Sequence, residues 1–417
     1  MTRSRANGEG SIFPYRNGYG AYVWITTPSG KRQRKYVYGK TREIVHEKWI
    51  KLMGEASKGS VAPKVPKLGD YLSTWLTEVI APGAAPATYA IYESHTRLHI
   101  IPHLGEKRLD KLGVRDVQIW INNLRKTCLC CANERDAKRP VPRCCAASKC
   151  CNDFLSDRSV GGVRAVLRSA LSQAMREELL SRNVAMSVTV PTRRKRKRSS
   201  WTSDEARTFL ESARSAQDPM YAVYVLILTI GLRKGEALGL LWNDVDLAGG
   251  TLAINHQLQR VHGQLYHRKT KTEESEDSLP LVSLGTAALR WQQAVQERAE
   301  KAAGEAWQPG DWVFTTRYGT PIEPRNFSRY FEARCEAAGV RRITVHDARR
   351  TCATLLVDLD VHPRVIMKIL RHTQIAMTMD IYAQASSKAT REALQQLGQE
   401  LNSEERPTSG NETSSAE

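Results

Sequence analysis

The sequence predicts a multidomain, mainly α-helical chain with small β-sheets. Its parts read as an N-terminal three-stranded sheet plus helix, a helical middle unit and a mixed α+β C-terminal unit. Three observations predict this. A length of 417 residues exceeds what one ordinary core organises, so two to four domains are expected. Two linkers rich in Gly, Ser, Pro or basic residues, Gly54–Lys67 and Pro191–Ser200, break the chain. A hairpin signal and short strands precede the first linker, whereas long amphipathic stretches follow it.

In the N-terminal unit, residues 8–56, strands over Ser11–Arg16 and Ala21–Thr26 flank the turn pair Asn17-Gly18. Pro28-Ser29-Gly30 turns the chain into a third strand, Arg32–Tyr38. Thr41 is a suitable N-cap for a helix with Val45, Trp49, Leu52 and Met53 on one stripe. Tyr22, Trp24, Arg32, Arg34, Lys35 and Tyr36 mix aromatics with bases, which suits a DNA groove. The alternative is a solvated basic sheet whose aromatics face the helix.

The middle unit, 66–187, takes helices at Leu68–Val79, Ala87–Ile101, Val114–Leu124 and Asp157–Leu180, the last capped by Asp157 or Ser159. A cysteine-rich insert at 126–152 interrupts it. The third unit, 202–401, opens on the capping box Thr202-x-x-Glu205, with a helix to Arg214. An apolar helix (Met220–Ile230), strand-like pieces (Thr251–Asn255, Leu279–Val282), a helix (Thr286–Ala303) and several short helices lead to Tyr382. A last helix is expected near 388–401, and the polar residues 402–417 read as a disordered tail.

A net charge of +18 is more than solubility requires, and a polyanionic partner accounts for the excess. Residues 1–65 hold 13 Lys/Arg against 4 Asp/Glu, and Arg193–Arg198 is an unbroken basic run, so the charge is concentrated as nucleic-acid binding requires. No stretch approaches the roughly 20 apolar residues of a membrane span, and no secretory signal opens the chain, so a cytoplasmic protein is expected. Seven of nine cysteines fall between Cys128 and Cys151. In a cytoplasmic setting they point to metal or a redox-sensitive insert rather than to disulfides. Cys130/Cys131, Cys144/Cys145 and Cys150/Cys151 offer thiolates for one tetrahedral zinc site or two, although adjacent pairs lack the usual two-residue spacing. Free thiols are the alternative.

Four segments of the third unit carry candidate chemistry. In Thr229-Ile-Gly-Leu-Arg-Lys-Gly-Glu-Ala-Leu238, Gly231 can end one helix and place Arg233 at the start of the next. An arginine there can hold a phosphate bidentately, with Glu236 orienting it. Lys271 lies in a polar hairpin where a mobile ammonium can protonate a leaving oxygen; Lys269 competes for that role. His346 and Arg349 are three apart, hence neighbours on a helix face. Arg371-His372 is followed ten residues later by Tyr382. Each segment alone is weak.

Together, the order Arg233, Lys271, His346-x-x-Arg349, His372, Tyr382 resembles the catalytic set of the tyrosine recombinase (phage integrase) family, and the chain is similar to integrases of actinobacterial phages and integrative elements. Ile230-Gly-Leu-Arg-Lys-Gly-Glu236 is similar to its first arginine box, and Lys271-Thr-x-x-Ser-x-x-x-x-Pro280 to its lysine hairpin, which favours Lys271 over Lys269. Arg371 stands where a glycine usually precedes the histidine. The resemblance implies an arm-type DNA-binding domain at 8–56, a core-binding domain at 66–187 and a catalytic domain at 202–401. It also implies a site-specific integrase that cuts and rejoins DNA through a 3′-phosphotyrosine at Tyr382. Arg233 and Arg349 would neutralise the phosphate, Lys271 protonate the leaving 5′-oxygen, His346 take the phenol proton and His372 hydrogen-bond the phosphate.

No cofactor or catalytic metal is implied, and the sequence holds no P-loop or two-metal carboxylate cluster. The expected partners are double-stranded attachment sites, a homotetramer on DNA, and an excisionase or host DNA-bending protein. The rival readings are a type IB topoisomerase-like strand transferase and a DNA-binding regulator without catalysis.

Overall fold

The fold is a computed structural model and describes residues 12–26, 31–57, 65–191, 200–269, 278–372, 374–376, 378–379 and 381–382. The chain divides into two units, 1–195 and 196–417. It is mainly helical, with small antiparallel sheets.

In the first unit β1 (Phe13–Tyr15), β2 (Gly18–Thr26) and β3 (Arg32–Gly39) form an antiparallel sheet in that order. Tyr15 pairs with Gly18, so the two-residue turn is Arg16-Asn17 rather than Asn17-Gly18. Arg16 carries the positive φ of 49°. Gly18 instead serves close approach, since a Cβ there would lie 2.3 Å from the Gly39 carbonyl oxygen. The two-residue period sends Ala21, Val23 and Ile25 against α1 (Arg42–Ala56), where Val45, Trp49 and Leu52 complete a small core. Thr41 caps α1, accepting the Ile44 N–H at 3.4 Å. Met53, expected on the apolar stripe, is exposed, because the stripe closes at Leu52.

The outward face of this sheet settles the orientation of its aromatics. Trp24, Tyr36 and Tyr38 point away from α1 and are exposed. The Arg34 guanidinium lies 4.7 Å from the Tyr22 ring and 4.8 Å from that of Trp24, and Arg32 lies 5.4 Å from Trp24. Lys35, expected in this mixture, alternates to the other face and is half-buried, as the strand period dictates.

The helical part holds α2 (Leu68–Thr74), α3 (Pro86–His95), α4 (Ile101–Leu104), α5 (Val114–Lys126), α6 (Leu129–Ala132) and α7 (Asp157–Arg176). α2 and α3 each run on through a wider turn, at Trp75–Ile80 and Thr96–Ile100. Leu68, Leu72, Trp75, Val117, Ile121, Val163 and Leu167 share one core. α7 starts from Ser156, which accepts the Ser159 N–H at 3.1 Å, and not from Asp157 or Ser159 as expected. It ends at Arg176, short of the expected Leu180.

The second unit is built on α9 (Tyr221–Thr229), buried almost all round, as its unbroken apolar sequence requires. Around it pack α8 (Ser203–Ser215), α10 (Lys234–Leu238), α11 (Ser283–Ala303) and α13 (Val345–Asp358), with α12 (Pro324–Ala337) on α8 and α14 (Pro363–Leu370) on α13. The Thr202–Glu205 capping box is formed in both directions, at 2.8 and 3.2 Å. β4 (Val245–Asp246), β5 (Thr251–Leu252) and β8 (Leu279–Pro280) make a short sheet. A hairpin of β6 (His256–Val261) and β7 (Gln264–Lys269), turning at His262-Gly263, was not anticipated, because its polar strands give little periodic signal. The expected helix at 388–401 lies outside the described residues.

Candidate active site

Two helix junctions and the second turn of α13 meet at one buried carboxylate, Glu236. α9 ends at Thr229, and Gly231 redirects the chain with φ 63°. The positive φ favours glycine here, and a Cβ would also stand 2.4 Å from Leu370 Cδ2 and push that side chain aside. Arg233 then becomes the N-cap of α10. Its backbone N–H donates to Glu236 Oε2 at 2.9 Å and its guanidinium to Oε1 at 2.5 Å. A second guanidinium nitrogen donates to the Arg371 carbonyl at 3.1 Å. The side chain remains 44% exposed, which leaves a guanidinium face free for an incoming anion.

Arg349 reaches the same carboxylate from α13. Its guanidinium is buried, donates to the carbonyls of Gly231 and Leu370, and lies 4.0 Å from Glu236. Burial, and next the neighbouring Arg233, push its pKa down to about 9, which leaves it charged at neutral pH. Arg371 completes the group, donating to Glu236 Oε2 at 2.8 Å and to the Ile369 carbonyl at 3.0 Å. Its backbone adopts the left-handed conformation that ends α14 (φ 52°, ψ 51°). The turn thus forms with an arginine in the position where a glycine usually stands. Burial pushes the Glu236 carboxyl up, but Arg371 and Arg233 outweigh it, and the group sits below its ordinary value. Three guanidiniums around one carboxylate leave a surplus of positive charge.

His372 follows at the buried end of this turn. Its Nδ1 lies 3.0 Å from Thr378 Oγ1. Burial pushes its pKa down to about 4, reinforced by Arg349, Arg233, Arg371 and His346. The imidazole is thus neutral at pH 7, and His346 is close enough to act on it. His346 itself is exposed on the first turn of α13, one turn before Arg349. Thr344 and Asp347 box the start of that helix, with the Asp347 N–H donating to Thr344 Oγ1 at 3.2 Å.

The structure therefore brings together Arg233, Arg349 and His372, with His346 beside them. Tyr382 is placed elsewhere. Its hydroxyl donates to the Val361 carbonyl, beyond the C-terminal end of α13, and its ring packs on the small cluster of Cys352, Ile366, Leu370 and Ile381. From Arg349 to the end of α13 the helix rises about 14 Å. Burial and the carboxylate of Asp360 raise the phenol pKa there. In this structure the Tyr382 hydroxyl is thus engaged by a backbone carbonyl and not by one of the cationic candidates. Lys271 lies outside the described residues, and its competitor Lys269 is exposed at the end of β7. Sequence reasoning missed Arg371 and Thr378 as members of the site. The signal for Arg371 was present, since a long cation in a glycine position must send its side chain somewhere.

The chemistry of the cysteine insert fits a soft divalent metal. The Sγ atoms of Cys128, Cys131, Cys145 and Cys150 lie within 4.8 Å of one another, as do those of Cys130, Cys144, Cys145 and Cys151.

Comparison with known proteins places these features in context. Residues 200–389 match the Phage integrase family, and residues 67–125 match the phage integrase N-terminal SAM-like domain. The chain is 27% identical over 400 residues to an integrase of Streptomyces ambofaciens, covering 92% of this chain and 94% of that protein. It is 24% identical over 427 residues to an integrase of Saccharopolyspora erythraea, covering 89% and 92%. The Tn1549 transposon integrase, solved in complex with transposon right-end DNA, shares the fold at a TM-score of 0.62 and 18% identity, over 80% of this chain and 99% of that one.

Proposed function

Because the chain belongs to the phage integrase family of tyrosine recombinases, we propose that the cluster around Glu236 is the phosphate-binding centre of its strand transfer, with Tyr382 as nucleophile. The protein is a site-specific recombinase that cuts and rejoins DNA to integrate or excise a mobile element. The observation that carries the site assignment is the convergence of Arg233 and Arg349 on one carboxylate too weak to neutralise both.

In this reading the Tyr382 oxygen attacks the scissile phosphorus while the 5′-oxygen departs. His346 takes the phenol proton, and Lys271 gives a proton to the leaving oxygen. Arg233 and Arg349 hold the non-bridging oxygens, and His372 donates a hydrogen bond to one of them. The hydroxyl must first leave the Val361 carbonyl, so DNA binding and release of Tyr382 are coupled. The bond energy is kept in the phosphotyrosine, and no cofactor is needed for the transfer.

The partners in this reading are double-stranded attachment sites, bound by the outward face of the N-terminal sheet and by the helical part, and further copies of the chain assembled as a tetramer. The accessory proteins expected are an excisionase or a host DNA-bending protein, and the setting is the cytoplasm. The thiolates of the insert hold structural zinc. Among the described residues no helix is long and apolar enough to cross a membrane.

Trapping on nicked suicide DNA tests the assignment. The wild-type chain is expected to become covalently linked through Tyr382, and Tyr382→Phe to bind the same DNA without linkage. Covalent capture by Tyr382→Phe overturns it. Plasmid relaxation by a chain that never joins two sites favours the topoisomerase-like reading instead.

A further inference from the structure

We infer that the cysteine insert holds two zinc ions that share one thiolate, that of Cys145, so that all seven cysteines of the insert are ligands of a single binuclear centre. This rests on the reading of the insert as a zinc site and fixes its number and connectivity.

The geometry points there directly. The two tetrads, Cys128/Cys131/Cys145/Cys150 and Cys130/Cys144/Cys145/Cys151, use every cysteine between 128 and 151, and Cys145 belongs to both. Neighbouring Sγ atoms stand 3.8 Å apart for Cys128–Cys145 and Cys130–Cys144, 3.9 Å for Cys131–Cys150 and 3.6 Å for Cys145–Cys151. A tetrahedron of zinc–sulfur bonds near 2.3 Å has edges of about 3.8 Å, whereas a disulfide would bring the sulfurs to about 2 Å. Cys128 and Cys151, from different tetrads, also meet at 3.8 Å, as expected of two tetrahedra joined at a common vertex. The adjacent Cys-Cys pairs, which fit a mononuclear site poorly, have a reason here. Cys130-Cys131, Cys144-Cys145 and Cys150-Cys151 each send one sulfur to either metal, with Cys145 serving both.

Charge and scaffold agree with that count. Two dications and seven thiolates leave three negative charges. Between 128 and 151 the chain carries five Lys/Arg and two Asp/Glu, a surplus of three positive charges that balances them. The Asp136 carboxylate, 1% exposed, accepts the backbone N–H groups of Arg143 and Cys144 at 2.9 Å and of Ala146 at 3.0 Å. It thereby fixes the loop bearing Cys144 and Cys145 over the turn bearing Cys130 and Cys131.

The test is metal analysis of the full chain purified under reducing conditions, followed by cadmium-113 NMR after exchange. The expected result is two zinc ions per chain and two cadmium resonances coupled to each other through the shared sulfur. Cys150→Ser and Cys144→Ser, which each touch one tetrad, should each retain one tightly bound ion, whereas Cys145→Ser should weaken both. One zinc per chain, or two cadmium resonances without mutual coupling, overturns the shared centre and leaves the zinc reading standing. Zinc-free protein whose cysteines are free or joined in disulfides overturns both.

Discussion

Arg371 donates to the Glu236 carboxylate at 2.8 Å from a left-handed backbone, φ 52° and ψ 51°. The cap position that most readily takes glycine is here filled by a residue that accepts backbone strain and adds a third cation to the site. Replacing Arg371 by Gly and by Ala separates these two effects, because both variants lose the guanidinium and only Ala keeps a Cβ. Arg371→Gly is expected to be about 1 kcal/mol more stable than Arg371→Ala, the cost of a left-handed L-residue. Thermal melts of the pair measure it, and equal midpoints would place the strain elsewhere.

Glu236 holds Arg233 and Arg371 by direct hydrogen bonds and Arg349 by charge, so its removal leaves three guanidiniums facing one another. Glu236→Ala is expected to cost about 3–5 kcal/mol in unfolding free energy, as loss of one partner from a buried ion cluster does. Glu236→Gln keeps the hydrogen-bonding shape and should lose less. Both should reduce covalent DNA capture at least tenfold, because Arg233 is no longer aimed. Denaturant unfolding and suicide-substrate trapping check the two halves separately.

The outward sheet face sets up a third expectation. Arg34 is held between Tyr22 and Trp24, exposed and without need of a core role. Arg34→Ala should leave the fold intact and lower the slope of log affinity for DNA against log salt by about one, as loss of a single phosphate contact does. Affinity measured across a salt series on DNA carrying the N-terminal unit's site reads this out; an unchanged slope removes Arg34 from the interface.

Much of this was legible in the sequence, for identifiable reasons. The capping box at Thr202, the Thr41 cap and the buried helix around Tyr224 follow from local rules that tertiary context did not override. Gly231 and Arg233 were legible as a helix break followed by a helix start. The β6–β7 hairpin was not, since Gln257, Gln259, Gln264 and His267 mask its alternation. The docking of Tyr382 was illegible in principle. Whether its hydroxyl meets a backbone carbonyl or a phosphate depends on a long-range choice between two partners, and only one of them is encoded in the chain.

That choice bears on pH through His372. Its folded-state pKa of about 4 lies below the ordinary value near 6.5, because burial and the surrounding arginines disfavour its charge. Between those values the unfolded chain holds a proton that the folded chain lacks, so this residue's contribution to stability is full above about pH 6.5 and falls as the pH drops toward 4. His372→Asn should remove part of that acid sensitivity, seen as a smaller loss of the urea midpoint between pH 7 and pH 5 than in the wild type. A phosphodiester bound among Arg233, Arg349 and His372 reverses the balance, since its negative charge favours the imidazolium. DNA binding near pH 6 should then be accompanied by proton uptake, measurable as a binding enthalpy that changes with the ionisation heat of the buffer. Uptake of equal size in His372→Asn would show that another group takes the proton, and His372 would lose its place against the phosphate.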